Sequence, residues 1–474
     1  MSAHRTETLP AESPRPAARP HPHPKPPGPR GWPIIGSAAE LLHDSTGFLT
    51  RMARRYGDVV YFPLLFQTRT LLSNPDLIEE VLVRQPQKFE KGPGLRDAAQ
   101  RLLGEGLLTA EGELWLRQRR LAQPAFHRQR IAEYAQTMAN QALFHIKDWK
   151  EGDRRDMAEE MMALTLEIAV RTLFGTEFTN EAKPVGKAVT RLMRYQIRRM
   201  RSPIKIPPHW PTRSNRRADR DYNYLDSLVY KIIETRRQAL ADGHAHRSDL
   251  LSLLMAATDD QGGRMNTKQL RDEVMTLFIA GHETTAVTLG WTWHLLSQNA
   301  RVEEKLHAEL DSVLHGAAPS IDQIRQLPYL DAVLHEALRL FPAAYIIQRT
   351  SNEPVTLGGY HFPRGTTFLM SQWILHRDPR YFDAPEEFRP ERWLDGLTDR
   401  LPPYAYFPFG GGPRKCIGQA FAMMELGIVV ALLAQRFRFT HDPSNRRSSQ
   451  IALEPLVTLR ARHGIPLKLS SRAL

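Results

Sequence analysis

The sequence predicts a mainly α-helical protein with a smaller β-rich part, an α+β fold. Helical patterning runs almost without interruption from Glu113 to about Ile279. Strand-like stretches with turn signals come later, from Arg349 to Phe368 and over residues 451–470. Of the 474 residues, 42% are hydrophobic and 24% are charged, which is an ordinary balance for a globular protein.

The N-terminal end is rich in proline and differs from the rest of the chain. Ten of the 35 prolines lie before residue 34, so we expect residues 1–25 to form a disordered tail. This end has no secretory core and no run of about 20 apolar residues, which predicts that the protein has no transmembrane anchor. Length alone would allow two or three domains.

Short elements are predicted before the long helical region. The pattern of Ala38 to Tyr56 indicates a helix, and that of Asp58 to Leu72 indicates a hairpin. Pro75 to Arg84 is predicted to be a short helix. Phe89 to Leu108 is rich in glycine, so we expect an irregular segment there.

Three features organise the second half of the chain. The helical region is interrupted at Pro203–Pro211, because proline cannot donate a helical hydrogen bond. Asn266 and Gln269 resemble a capping box, which predicts a long helix that ends near Asn299. Ile417–Ala434 is apolar for most of its length, and we interpret it as a helix buried on both sides rather than as a membrane span.

The chain is basic. Lys and Arg number 64 against 52 Asp and Glu, which gives a net charge of +12. Such a chain can bind nucleic acid, an anionic membrane or an acidic protein. No nucleic-acid-binding module is recognisable, so nucleic acid is not an expected partner. These charges either form a solvated surface or include a docking patch around the cysteine for an acidic electron donor. The patch would be formed by Arg119, Arg120, Arg128, Arg130, Arg414 and Lys415.

The single cysteine, Cys416, is the most informative residue. One thiol excludes intrachain disulfides, zinc knuckles and iron–sulfur clusters. A buried structural thiol, a nucleophile and the thiolate ligand of a haem iron remain. The neighbouring residues favour the haem ligand. Arg414 can pair with a propionate, and Gly418 opens an apolar stretch, which would place the sulfur near a helix N-terminus.

The segment around this cysteine resembles the haem-binding loop of cytochrome P450. The pattern Phe-x-x-Gly-x-Arg-x-Cys-x-Gly is matched by Phe409, Gly412, Arg414, Cys416 and Gly418. The resemblance implies one large, mainly helical domain over residues 26–474 with a long helix over a buried haem b. It also implies that Cys416 is the axial iron ligand, and that Phe409, Arg414 and Gly418 help to bind the cofactor.

The predicted long helix carries Ala280-Gly281-His282-Glu283-Thr284, which resembles the oxygen-activation motif of the same family. Gly281 would leave room for dioxygen above the haem. The resemblance implies that Thr284 hydrogen-bonds the oxygen being activated and that Glu283 relays protons. The alternatives are that Thr284 bonds back to its own helix and that Glu283 belongs to a satisfied ion pair.

Further charged residues match the family at fixed spacings. Glu336 and Arg339, three residues apart, and the later Arg392 resemble a buried structural cluster that fixes the loop leading to the cysteine. Trp115 and Arg119, four residues apart, resemble a helix that reaches a haem propionate. Arg349 matches the position of another arginine that binds a propionate.

The substrate pocket implied by the resemblance is apolar, which favours a lipophilic substrate such as a fatty acid or a terpenoid. Its predicted wall residues are Leu95, Phe278, Ala280, Ala343, Ala344, Ile346, Leu456 and Val457.

The expected function is that of a monooxygenase that uses O2 and hydroxylates a C–H bond. Electrons would come from a separate donor, a ferredoxin or flavodoxin with its NAD(P)H reductase, because no such domain follows in the chain. The alternatives are a peroxide-dependent enzyme of the same family and a haem sensor without turnover. The intact acid–threonine pair argues against both. We expect a cytoplasmic monomer.

Overall fold

The computed structural model describes residues 25–65, 67–176, 181–202, 206–242, 249–259, 262–441 and 451–472. The predicted tail, residues 1–25, lies almost entirely outside these ranges. The mainly helical architecture with several small sheets confirms the predicted fold class.

The helices lie throughout the chain, and the longest is α11. They are α1 (Ala38–His43), α2 (Ser45–Tyr56), α3 (Pro75–Glu79), α4 (Pro93–Leu103), α5 (Gly112–Ala122), α6 (Arg128–Ile146), α7 (Met157–Phe174), α8 (Ala182–Arg201), α9 (Arg213–Ala241), α10 (Leu250–Ala256), α11 (Thr267–Gln298), α12 (Ala300–Leu314), α13 (Ile321–Ile324), α14 (Pro328–Leu340), α15 (Gln372–Leu375), α16 (Glu391–Leu394), α17 (Leu397–Arg400) and α18 (Gln419–Arg436). A π-helical turn, Glu80–Arg84, continues α3, and a short 3₁₀ turn, Gly412–Arg414, precedes α18.

The strands form four small sheets among the described residues. They are β1 (Val59–Leu64), β2 (Gln67–Leu72), β3 (Phe89–Lys91), β4 (Arg154–Asp156), β5 (Ile347–Ser351), β6 (Val355–Leu357), β7 (Tyr360–Phe362), β8 (Thr367–Met370), β9 (Phe437–His441), β10 (Leu453–Pro455), β11 (Leu459–Ala461) and β12 (Pro466–Ser471). The largest sheet has the order β1-β2-β8-β5-β3, and only β2 and β8 pair in parallel.

Several predicted elements are confirmed. The β1–β2 hairpin lies within Asp58–Leu72. The capping box at the start of α11 is formed, since the Asn266 side chain accepts from the Gln269 amide at 2.9 Å and the Gln269 side chain accepts from the Asn266 amide at 3.0 Å. A break separates α8 from α9 in the proline-rich segment.

Two predicted elements are wrong in part. The single helix expected over Ala38–Tyr56 is divided into α1 and α2, because the Asp44 side chain accepts from the Gly47 amide and caps a new helix. The irregular segment expected over Phe89–Leu108 contains α4, which begins at Pro93, a favoured residue for a first helical position.

The core is centred on α11, which packs most extensively against α7 and also contacts α9, α14 and α18. Most of α11 is buried, including the large side chains of Trp291 and Trp293. Among the described residues, α18 is the one helix long and apolar enough to cross a membrane, but it is largely enclosed by the protein. Its burial confirms the expectation of an internal helix.

Candidate active site

The cysteine lies in a loop immediately before α18. The Cys416 amide donates to the Phe409 carbonyl at 2.9 Å, which closes the loop. Gly418 directly precedes α18, which is 18 residues long. The sulfur is therefore close to a helix N-terminus, where the partial positive charge of the free amides stabilises a thiolate.

Glycines in this loop allow very close packing against the protein itself. Gly412 has a φ of +64°, and a Cβ there would lie 1.8 Å from the Leu82 carbonyl oxygen. A Cβ at Gly411 would lie 2.1 Å from the Tyr404 ring. At Gly418 the nearest atom would be 3.7 Å away, which is an ordinary contact. Packing of the loop against its neighbours therefore explains why Gly411 and Gly412 have no side chain.

The Cys416 thiol is enclosed by protein yet keeps accessible surface. Burial raises the pKa of the thiol, partly offset by a hydrogen bond from the Gly418 amide and by the positive charges of Arg119 and Lys415. Judged by its solvent-accessible surface area, Cys416 is nevertheless an exposed residue. We interpret this accessible surface of a deep side chain as one wall of an internal cavity.

The middle of α11 has a similar feature. From Leu270 to Leu296 every residue is buried except Ala280, Gly281 and Thr284, which lie on one side of the helix. This stretch of α11 is adjacent to α18, since the carboxyl group of Glu425 interacts with the hydroxyl of the neighbouring Thr285. The accessible side of α11 therefore opens within the protein, near the helix that follows the cysteine.

The hydroxyl of Thr284 is engaged within its own helix. It donates to the Ala280 carbonyl at 2.9 Å, which is the alternative interpretation that the sequence left open. The hydroxyl oxygen can still accept a hydrogen bond. A rotation about χ1 would be needed for Thr284 to donate its proton to a group in the cavity.

Glu283 is a buried partner in an ion pair. The carboxylate accepts from Arg460 Nε at 2.6 Å and from the Thr458 hydroxyl at 2.7 Å, and Arg460 Nη2 binds its other oxygen. Burial raises the pKa of Glu283, but the charge and hydrogen bonds of Arg460 outweigh it and hold the pKa below its ordinary value. The ion-pair alternative is thus realised, and a proton relay through Glu283 requires this pair to open.

The predicted propionate-binding residues meet beside the cysteine loop. Arg119 Nη1 donates to the Lys415 carbonyl at 2.9 Å. The guanidinium carbons of Arg119 and Arg414 lie 6.0 Å and 5.6 Å from the Trp115 ring centre. Arg414 also binds the Glu111 carboxylate. The structure therefore brings the distant Arg414 together with Trp115 and Arg119 of α5.

Arg349 joins this group from the sheet. Its Nη1 donates to the neighbouring Gln348 carbonyl at 2.9 Å, and within the described part of the chain the side chain has no carboxylate at ion-pair distance. Burial and the charge of Arg414 lower the pKa of Arg349 to about 10, while Glu111 acts in the opposite direction. Lys91 of β3 lies directly across from Arg349 in the antiparallel pair.

The structural cluster suggested by the sequence is fully buried. Arg339 donates to Glu336 through Nε at 2.9 Å and Nη2 at 2.8 Å, and Arg392 Nε donates to the same carboxylate at 3.0 Å. Arg339 also donates to the carbonyls of His376 and Pro385. The cluster thereby ties α14 to the segment that leads to the cysteine loop.

The predicted pocket wall is assembled only in part. The Leu459 amide donates to the Ala343 carbonyl at 3.0 Å, and the Tyr345 hydroxyl donates to the Leu456 carbonyl at 3.3 Å. These bonds join the segment after α14 to the β10–β11 turn, whose Thr458 binds Glu283. The two segments and α11 therefore meet.

The remaining wall residues differ in their placement. Phe278 is a correction: it is 1% exposed and contacts Phe174 and His282, because it lies on the side of α11 opposite to Ala280. Ile346 packs against the cluster around α2 and β1. Ala344 is half-buried and Val457 is 42% exposed. The side chains of Leu95 and Arg128 are not among those that the structure describes.

Sequence reasoning missed three charged residues. Lys91, Glu111 and Arg460 belong to no motif, and each meets its site partner through folding. Arg460 is 177 residues from Glu283 along the chain. No local signal in the sequence identifies such a partner.

Comparison with known proteins agrees with this geometry. The family model described as Cytochrome P450 matches residues 26–465. Two similar proteins come from Streptomyces melanosporofaciens. Cyclooctatin synthase is 37% identical over 91% of this chain and 93% of that protein, and cyclooctat-9-en-7-ol 5-monooxygenase is 35% identical over 93% and 94%.

A third relative, pentalenene oxygenase from Streptomyces avermitilis, is 32% identical over 89% of this chain and 93% of its own length. The match covers the cysteine loop, the central part of α11 and the buried Glu336 cluster. With nearly the whole chain matched, the protein belongs to the cytochrome P450 family, whose cofactor is haem.

Proposed function

We propose that this P450 monooxygenase hydroxylates a terpenoid, using O2 and electrons from a separate ferredoxin or flavodoxin with its NAD(P)H reductase. The observation that carries the proposal is the enclosed but accessible thiol of Cys416, together with the arginines gathered beside it. A peroxide-dependent reaction and a sensor without turnover remain the alternatives.

The residues fit haem b. Cys416 would bind the iron, and the thiolate is favoured by the adjacent helix N-terminus. Arg119, Arg349 and Arg414 with Trp115 would hold the propionates. When bound, haem supplies the activation of O2 and the insertion of one oxygen atom into a C–H bond.

The side chains of α11 would manage protons. Thr284 would turn its hydroxyl from the Ala280 carbonyl into the cavity and donate a hydrogen bond there. Glu283 would pass protons to Thr284 once its carboxylate separates from Arg460. The Arg460 pair keeps Glu283 ionised and fixed between such events, because a buried carboxylate with a charged partner favours its ionised form.

A lipophilic substrate is supported by the wall residues. Five residues of the predicted wall lie on or near the accessible side of α11 and the two segments that meet it, and all five are apolar: Ala280, Ala343, Ala344, Leu456 and Val457. Two relatives are named for reactions of cyclooctat-9-en-7-ol and pentalenene. These names favour a terpenoid over a fatty acid for this chain.

The donor would dock on the basic face near the cysteine. Arg120 and Lys415 are exposed there, and Arg119 bonds to the Lys415 carbonyl. Cations on a surface attract an acidic partner and speed its association. A cytoplasmic, monomeric state stays a prediction, which sedimentation of the purified protein and cell fractionation would test.

Spectroscopy and product analysis test the proposal. The reduced protein with carbon monoxide should show the red-shifted Soret band of thiolate-ligated haem, and terpenoid alcohols should shift the haem spin state more than fatty acids of similar size. With ¹⁸O2, one labelled atom should enter the product. A Soret band typical of imidazole-ligated haem would overturn the haem–thiolate assignment, and a spin shift confined to fatty acids would overturn the substrate class.

A further inference from the structure

Three cationic side chains lie around a single carboxylate next to the predicted propionate site. Lys91 of β3 lies directly opposite Arg349 of β5, an arrangement that is unfavourable for like charges. Arg414 reaches the same strand by donating to the Phe89 carbonyl at 3.1 Å. Glu111 accepts from the Lys91 backbone amide at 2.7 Å with one oxygen and pairs with Arg414 through the other. This group therefore carries an excess of positive charge.

The ammonium group of Lys91 is buried without an ionic partner. The residue is 7% exposed, and its Nζ donates to the Leu107 carbonyl at 2.9 Å and the Ala110 carbonyl at 2.6 Å. Within the described ranges, no carboxylate lies within ion-pair distance of Nζ. Two neutral carbonyls replace only part of the hydration that a buried ammonium loses.

The charges that face Lys91 come from four elements. They are Glu111 before α5, Arg414 in the cysteine loop, Arg349 in β5 and Glu273 in α11. Burial, aided by the two arginines, lowers the pKa of Lys91 to about 7, although both carboxylates act in the opposite direction. When only the charges of the protein act on it, Lys91 is therefore partly deprotonated at neutral pH.

Glu273 does not relieve the excess charge. Its Oε2 accepts from the Leu107 amide at 3.1 Å, while Oε1 is buried and has no hydrogen bond from the described residues. Burial raises the pKa of Glu273 to about 8, with a smaller opposing effect from Lys91. At neutral pH this carboxyl group is therefore mostly protonated and uncharged.

We propose that Lys91 gains a proton when the propionate carboxylates of haem bind beside Arg349 and Arg414, so that haem binding is linked to proton uptake at this lysine. The inference rests on the proposed haem site. Additional negative charge favours the charged form of a nearby amine. The pair of propionates would also balance the excess charge left by three cations and one carboxylate.

The protons balance as follows. Any proton that the Cys416 thiol loses on binding iron is lost equally in the wild type and in Lys91 variants, so it cancels in the ratio of their haem affinities. Above about pH 7 the Lys91 amine takes up one proton when haem binds, and below that pH it is already protonated. The haem affinity of a variant without this lysine, relative to the wild type, should therefore rise by about tenfold per unit above pH 7.

Haem partition between the holoprotein and a haem-scavenging protein, measured from pH 5.5 to 9, tests this linkage. We expect the affinity ratio of Lys91→Met to wild type to be constant up to pH 6.5 and then to rise about tenfold per unit. Lys91→Arg, which keeps a permanent charge, should show the same slope. Lys88→Met removes a surface lysine that pairs with Glu353, and it should follow the wild type.

Two further comparisons complete the test. Glu273→Gln should follow the wild type, and a tenfold rise per unit that appears only in this variant would place the proton on Glu273 and overturn the proposal. Wild-type protein loaded with haem dimethyl ester, which lacks propionate charge, should behave like Lys91→Met even if that variant does not fold. Equal pH dependence for haem and its ester would also overturn it. A missing thiolate Soret band would instead contradict the haem site itself.

Discussion

At the scale of single residues, the site depends on side chains that must change partners in order to act. Thr284 donates to its own helix, and Glu283 is held by Arg460 and Thr458. These contacts hold both side chains in place and use the hydroxyl proton of Thr284. Catalysis therefore requires each side chain to exchange its present hydrogen bond for one inside the cavity. The free energies of the present contacts can be measured with variants.

Thr284→Ala should uncouple electron consumption from product formation. Loss of the hydroxyl removes a proton donor, so we expect turnover to fall by roughly 10²-fold while NAD(P)H oxidation continues and peroxide accumulates. The ratio of product to NAD(P)H consumed measures this directly. Thr284→Ser keeps the hydroxyl and should retain most of the coupling. Unchanged coupling in the alanine variant would show that Thr284 only completes its helix.

Arg460→Met should destabilise the protein mainly near neutral pH. The change leaves a buried carboxylate without its partner, a loss of about 3–5 kcal/mol in the free energy of unfolding. The folded pKa of Glu283 lies below its ordinary value of 4.5, so the pair stabilises the protein above that pH and loses its effect as pH falls through the folded pKa. In the variant the pKa of Glu283 rises, and protonation then relieves the unpaired charge.

Urea unfolding at pH 7 and pH 5 measures this effect. The difference between wild type and Arg460→Met should be smaller at pH 5. The double variant Arg460→Met with Glu283→Gln should recover much of the lost stability at pH 7, because no buried charge remains. A penalty independent of pH and unaffected by Glu283→Gln would attribute the loss to packing of the long arginine side chain.

At the scale of elements, α14 illustrates how burial changes the value of an ion pair. Arg339 and Glu336 are both fully buried, whereas Arg325 and Asp322 form a pair with the same spacing at the surface, 65% and 82% exposed. Desolvation makes the first pair costly to break, while solvent screens the second. The Glu336 pair also anchors the segment before the cysteine loop through the Arg392 bond.

Arg339→Ala should yield protein with little or no haem. Breaking the buried cluster costs about 3–5 kcal/mol and frees the segment that positions the cysteine loop. The ratio of Soret to protein absorbance after purification measures haem content. Arg325→Ala is the matched control and should change the free energy of unfolding by no more than about 0.5 kcal/mol. Normal haem content in Arg339→Ala would contradict the assigned role.

Elements with strong local signals could be predicted from the sequence, and those decided by one local contact could not. The capping box of Asn266 and Gln269 marked the start of α11. The Asp44 cap that divides α1 from α2 was overlooked within an otherwise continuous helical pattern. Phe278 was assigned to the pocket on the family resemblance, although residues two apart on a helix, such as Phe278 and Ala280, point in nearly opposite directions.

Long-range charge partners outside the family motifs could not be predicted. The motifs identified Cys416, Arg414 and Glu283, whereas Lys91 meets Arg349 only when β3 pairs with the distant β5, and Arg460 meets Glu283 only through tertiary folding. Nothing in the local sequence indicates that a lysine in a short strand, or an arginine near the C-terminus, will be buried. The sequence therefore indicated the chemistry of the site, while the electrostatic environment that tunes it emerged only from the tertiary structure.

At the scale of the whole molecule, a second group of buried titratable residues limits stability in acid. His294 and His307 are 6% and 5% exposed, and burial lowers the pKa of each to about 4, with smaller effects from His441 on the first and from Arg472 and Arg438 on the second. These residues lie in α11 and α12, away from the cysteine loop. Their protonation is therefore a property of the fold rather than of catalysis.

The free energy of unfolding should fall as pH decreases from 6.5 to 4. In that range the unfolded histidines bind protons that the folded ones exclude, so each contributes a loss of roughly 2–3 kcal/mol. Burial raises the pKa of Glu303 to about 6, so the folded protein binds an additional proton between pH 6 and 4.5 and recovers about 2 kcal/mol. Across this range the urea midpoint of a His294→Gln and His307→Gln double variant should fall less steeply with decreasing pH than that of the wild type, because the loss from these two histidines is removed and the gain from Glu303 stays. A slope equal to that of the wild type would show that other groups set the acid limit.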